Sequence, residues 1–116
     1  MKNIWKYSGN RTSKYHNTKT TVDGITFDSK KEANRYQELK LLNRVGEIKD
    51  LRLQEPYVLI DKSNHGRAIK YIADFVYYDN SLQKEVVEDT KGYRTDVYKL
   101  KKRLMAERYG IDIKEV

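Results

Sequence analysis

The sequence predicts a mixed α/β (α+β) fold. A helix, three antiparallel strands, a second helix and a fourth strand parallel to the third follow a basic arm and a small β-hairpin. Three observations predict it. A capped helical period begins at Ser29, runs to about Arg44 and stops at Gly46. Two β-rich runs, Tyr71 to Tyr78 and Glu85 to Thr90, flank the polar segment Asp79 to Gln83, the pattern of an antiparallel hairpin. A second capped helix, Thr95 to Tyr109, ends at Gly110 and precedes a short apolar-alternating tail, which the crossover returns parallel to the preceding strand.

A chain of 116 residues is long enough for one domain with a single core. That domain is read as residues 19–116, behind a flexible arm of residues 1–18. With no cysteine, disulfides and thiolate zinc sites are excluded, which suits a reducing cytosol, so a cytoplasmic location is expected. Apolar runs are no longer than Tyr57 to Ile60, and neither a membrane span nor a signal peptide is expected. The net charge of +7 points to an anionic macromolecular partner, nucleic acid first. That charge is segregated. Lys2, Lys6, Arg11, Lys14 and Lys19 precede the first acid, Asp23, and seven Lys or Arg stand against Asp96 and Glu107 between Lys91 and Tyr109.

The arm shows no sustained period. Its Trp5, Tyr7 and Tyr15 interleave with cations and either stack on bases or pin the arm to the domain. Next, Val22-Asp23-Gly24-Ile25 places Asp-Gly between apolar residues, a tight hairpin turn. In the first helix Ser29 and Glu32 fit a capping box. Glu32, Tyr36, Leu39 and Asn43 fall on one helical stripe, and Tyr36 and Leu39 are expected to face the sheet. Glu32 therefore has two readings, a cap or an inward carboxylate that needs a partner. Glu47 to Leu53 reads as a connection and Leu53 to Ile60 as the first strand, with Pro56 suiting an edge. Lys62 to Gly66 is a turn, and its His65 a solvated loop residue. Arg67 to Tyr78 and Glu85 to Lys91 are the next strands, with Ile72, Val76 and Val87 on one face and Ala73, Phe75 and Val86 on the other. The second helix takes Thr95 or Asp96 as N-cap, and Val97, Leu100, Leu104 and Ile111 keep its core period. Lys99, Lys102 and Arg103 fall elsewhere on it. With Arg94 ahead of the helix and Arg11 and Lys14 in the arm, they are the candidate phosphate contacts. Asp112 to Val116 closes the chain as the fourth strand.

One hairpin carries chemistry. Each of its strands has an aspartate where an apolar residue belongs. If the loop is Asn80 to Gln83, Asp74 sits directly across from Asp89, and Asp89 shares its face with Lys91. Two carboxylates on a half-buried sheet call for a compensating cation. Asp74, Asp89 and the carbonyl of Thr90 offer the oxygen ligands of a hard divalent metal, Mg²⁺ or Mn²⁺. The plain alternative is a solvated hairpin end with a surface ion pair. Both aspartates are embedded in apolar strand residues, with Gly92 and a basic helix following at once, and this context favours the site. Glu88 competes with Asp89 but lies on the opposite face from Lys91, unless a bulge shifts the count.

An acid on the first helix, an acid on the second strand and D/E-x-K on the third resemble the PD-(D/E)xK superfamily of restriction-endonuclease-like nucleases. The stretches FDSKKEANRY, IADFVYYD, EDTKG and YKLKKRLM are similar to small phage- and prophage-encoded nucleases grouped with Holliday junction resolvases. The resemblance covers residue 28 to the end and implies a restriction-endonuclease-like core. It implies Glu32, Asp74 and Asp89 as metal ligands, Lys91 as the catalytic lysine, and Mg²⁺- or Mn²⁺-dependent hydrolysis of DNA phosphodiesters. Branched or junction DNA as substrate and a homodimer are implied in the same way. Ala73 stands where the superfamily's name has proline, while Asp89 in place of the commoner glutamate is within the pattern. Gln54, at the entrance to the first strand, is a further candidate. Two alternatives stay open: a nickase or restriction-type nuclease on plain duplex, and a non-catalytic nucleic-acid-binding module on the same fold.

Overall fold

The computed structural model describes residues 18–90 and 94–116. Arg11, Lys14, Lys91 and the aromatic residues of the arm lie outside that range. The chain forms two compact units, one ending at Gln37 and one running from Glu38 to Val116. Among the described residues the architecture is mixed α/β, with two helices and two sheets.

In the first unit, β1 (Thr20–Val22) pairs antiparallel with β2 (Ile25–Phe27). Asp23 and Gly24 between them take φ 55 and 77, the pair of left-handed residues that a tight primed turn requires. The Ser29 hydroxyl then accepts the Glu32 N–H at 3.1 Å, which caps α1 (Lys30–Arg44) as the sequence pattern requires. Tyr36 is buried. Its ring lies 5.1 Å from that of Phe27, and its hydroxyl donates to Asp23 at 3.0 Å. The expected inner stripe of α1 is buried at Glu32, Tyr36 and Leu39, but Asn43, in the last turn before Gly46 at φ 86, is exposed.

In the second unit, β3 (Ile48–Ile60), β4 (Ile69–Asp79) and β5 (Lys84–Asp89) form an antiparallel sheet. α2 (Asp96–Tyr109) crosses over to β6 (Lys114–Glu115), which pairs parallel with β5, giving the order β3-β4-β5-β6. Thr95 caps α2 through its hydroxyl at 3.0 Å from the Tyr98 N–H, and Gly110 stops it at φ 68. One core cluster joins Leu59, Tyr71, Ala73, Val76 and Val87 of the sheet to Tyr98, Met105 and Ile113, so α2 covers one sheet face. Phe75 and Tyr77 pair with Glu88 and Val86, and all four are buried, so the central strands are covered twice. No helix among the described residues is long and apolar enough to cross a membrane.

Three expectations are corrected. β3 begins at Ile48, not Leu53, because Asp50 and Gln54 adopt φ 57 and 52 and the register shifts between Lys49 and Arg52. Such bulges erase the alternation by which a strand is read. Within β4, Ala73 joins Val76 and Val87 in one cluster, and Ile72 is exposed. The alternation breaks at the rung between Leu53↔Phe75 and Glu55↔Ala73, where the left-handed Gln54 stands opposite Asp74. On α2 the buried residues are Tyr98 and Met105, while Val97 and Leu100 are 62% and 59% exposed. Leu104 and Ile111 are only partly buried against the cluster. Tyr98 and Met105, two turns apart on one helix face, carry the packing stripe that an aliphatic count assigns to their neighbours.

Candidate acidic site on the central hairpin

The β4–β5 hairpin turns at Asn80–Gln83. The Asp79 carboxylate accepts the N–H groups of Ser81 and Leu82 at 2.9 and 3.0 Å, and Gln83 takes φ 56. The register runs from Asp79↔Lys84 to Phe75↔Glu88, and Asp74 and Asp89 are the residues that follow on each strand. Asp89 is fully buried and Asp74 half-buried.

Neighbouring groups orient each carboxylate. The Tyr71 hydroxyl donates to Asp89 Oδ2 at 2.6 Å. Thr90 presents both its N–H and its hydroxyl to Asp74 Oδ2, each at 2.8 Å. Burial and then the bond to Asp89 push the Tyr71 phenol far above its ordinary value, so at neutral pH it remains a donor. The break in alternation at Asp74 places Tyr71 in the cluster under α2, where it meets Asp89. No sequence spacing links the two residues, and for that reason Tyr71 escapes a reading by pattern. Tyr71→Phe removes the donor from a buried carboxylate. It is expected to cost about 1–3 kcal/mol, measured by urea unfolding; a loss below about 0.5 kcal/mol would mean that the bond orients nothing of consequence.

Glu88 has different partners. It accepts the Tyr77 hydroxyl and lies 4.0 Å from the Lys114 ammonium, on the rung with Phe75. Glu32 is buried and belongs to the first unit. No three Asp, Glu, His or Cys side chains gather into a metal-holding group among the described residues.

The cations predicted around α2 are largely engaged. Arg94 and Lys102 lie 3.0 and 3.1 Å from Glu115, which also accepts the Tyr98 hydroxyl at 2.8 Å. Arg103 stands 3.9 Å from Glu107, while Lys99 is exposed and makes no ion pair among the described residues. The Tyr98 bond, then those from Lys102 and Arg94, hold the Glu115 carboxyl at about 2. A depressed folded value contributes stability above the unfolded value of about 4.3, lost as pH falls toward the folded one. Wild-type stability should therefore drop between about pH 4.5 and 2. Glu115→Gln should flatten that drop and cost on the order of 1 kcal/mol at neutral pH. An unchanged pH profile in the variant would contradict the assignment.

The fold and these residues define a class, a mixed α/β protein with an aspartate on each strand of its central hairpin, one buried and one half-buried. The chain belongs to the family described as Protein of unknown function (DUF1064), whose model matches residues 12–115. No curated protein matches the chain, and no solved structure does.

Proposed function

We propose that this chain is a metal-dependent DNA endonuclease on a restriction-endonuclease-like core. In this reading it acts on branched or junction DNA as a homodimer in the cytoplasm, that of a bacterial host if the chain is phage-encoded. The observation that carries the reading is the pair Asp74 and Asp89 beyond the last rung of the hairpin, one carboxylate fully buried and each oriented by donors from the opposite strand's side of the hairpin. The order of elements supports it, with acids on α1, β4 and β5 in turn. The donors are all hard oxygens, the two carboxylates and the Thr90 carbonyl, and this set suits Mg²⁺ or Mn²⁺. Two like charges on one hairpin are also relieved by a cation.

A divalent ion bound there would lower the pKa of an attached water and offset charge on the phosphoryl group. Asp74 and Asp89 would hold it; Glu32, which the resemblance to the PD-(D/E)xK superfamily adds as a third acid, belongs to the other unit. Thr90 and Tyr71 fix the carboxylate directions. Lys91, two residues beyond Asp89 in sequence, is the lysine to which the resemblance assigns stabilisation of the nucleophile or the developing charge. Arg94, Lys99, Lys102 and Arg103, with Arg11 and Lys14, meet backbone phosphates.

The test is incubation of the purified protein with labelled four-way junction, flap and plain duplex DNA in Mg²⁺ or Mn²⁺, beside chelator controls. Paired symmetric cuts at the junction, absent in chelator, are expected. Equal cutting of plain duplex would make the enzyme a nickase or restriction-type nuclease. Binding that persists in chelator with no cleavage of any substrate would overturn the nuclease reading and leave a binding module.

A further inference from the structure

Beyond β5, the β3–β4 pair continues alone. β5 covers β4 only from Phe75 to Asp79, whereas β3 follows β4 to Ile60↔Ile69. Beyond it an isolated bridge, Ser63↔Gly66, closes the tip, where the two backbones exchange hydrogen bonds of 3.0 and 3.2 Å around Asn64 and His65. Lys62 and Arg67 flank this bridge in sequence.

This ribbon is braced from one side. The Tyr109 hydroxyl donates to the Val58 carbonyl at 2.6 Å, Arg108 donates to the Leu59 carbonyl at 3.1 Å, and the Tyr57 and Tyr109 rings pack at 5.5 Å. Lys62, Arg67, Lys70, Ile60, Ile69 and Ile72 are exposed. From Lys62 to Ala73 the chain has three cations and no acid. Asp61, just before it, faces Arg108 at 3.4 Å. Lys62, Arg67 and Lys70 make no ion pair among the described residues, in contrast to Arg94 and Lys102, which share Glu115. Cations without internal partners contribute most to phosphate binding, because contact displaces counterions instead of breaking an ion pair.

We propose that the β3–β4 ribbon tip, through Lys62, Arg67 and Lys70, is a second DNA-contact surface that grips the duplex backbone away from the acidic pair. The proposal rests on the reading of this chain as a DNA-acting protein. A two-stranded ribbon fits a duplex groove, and cations beside exposed isoleucines suit a phosphate-lined groove wall. From Arg67 to Asp74, at about 3.3 Å per residue, the ribbon spans roughly 23 Å, or about seven steps of duplex at about 3.4 Å each. The ribbon therefore contacts an arm of the substrate about seven base pairs from the acidic pair.

The test is fluorescence anisotropy with a long-armed four-way junction in chelator, where cleavage cannot interfere. Wild type is compared with Lys62→Gln/Arg67→Gln/Lys70→Gln and with a charge-matched control, Lys31→Gln/Arg44→Gln/Lys84→Gln, all checked for cooperative thermal unfolding. The ribbon variant is expected to bind at least about tenfold more weakly, and the slope of log K against log salt should shrink by about two to three. The control should change both by much less. Equal losses in the two variants, an unchanged ribbon variant, or no binding by wild type would overturn the proposal. Cleavage in Mn²⁺ is scored separately. Its absence, with ribbon-dependent binding intact, would sink the nuclease reading and leave the ribbon proposal standing.

Discussion

Asp89→Asn is expected to lower metal-dependent cleavage by at least about a thousandfold, equivalent to about 4 kcal/mol of lost transition-state stabilisation. Stability should change little. The amide oxygen of the substituted side chain can still accept the Tyr71 hydroxyl that Asp89 Oδ2 accepts at 2.6 Å, so the buried donor keeps a partner while the charge disappears. Asp74→Asn should behave in the same way, because an amide oxygen can take both Thr90 donors. Single-turnover cleavage read beside urea unfolding separates the effects. A variant that cuts within tenfold of wild type would remove Asp89 from the chemistry, and one that unfolds would make its role structural.

Phe75→Ala has the largest expected effect on stability. Phe75 is completely buried, on a rung between Leu53 of β3 and Glu88 of β5. Truncation removes the ring and leaves a cavity that two hydrogen-bonded neighbouring strands cannot close, at a cost of about 3–5 kcal/mol. In a domain of this length the melting temperature should fall on the order of 15 °C. The pair that follows, Asp74 and Asp89, should loosen with it. A fall of less than about 3 °C would mean that the hairpin is not packed as described.

Local chemistry made much of this fold legible. Asp23-Gly24 could only be a tight turn, the Asn80–Gln83 loop set the hairpin register that runs to Phe75↔Glu88, just before Asp74 and Asp89, and Thr95 and Gly110 bounded α2. The misses arise where the signal is long-range or the period breaks. Asp50 and Gln54 interrupt β3 with left-handed backbone, which hid its first half and obscured the switch that brings Ala73 and Val76 to one face. Val97 and Leu100 look like core from composition, yet Tyr98 packs in their place with its hydroxyl on Glu115. Glu115 itself arrives from the far end of the chain to engage Arg94 and Lys102, a pairing that a charge count along α2 could not register.

Direct metal binding tests the central claim without relying on cleavage. Mn²⁺ titrated calorimetrically into the DNA-free protein should give saturable binding to wild type. In Asp74→Asn/Asp89→Asn it should be weakened at least about tenfold, since loss of both carboxylates removes the charge that holds the ion. Equal Mn²⁺ binding by the two proteins, both folded, would contradict the assignment of the Asp74–Asp89 pair as a metal site.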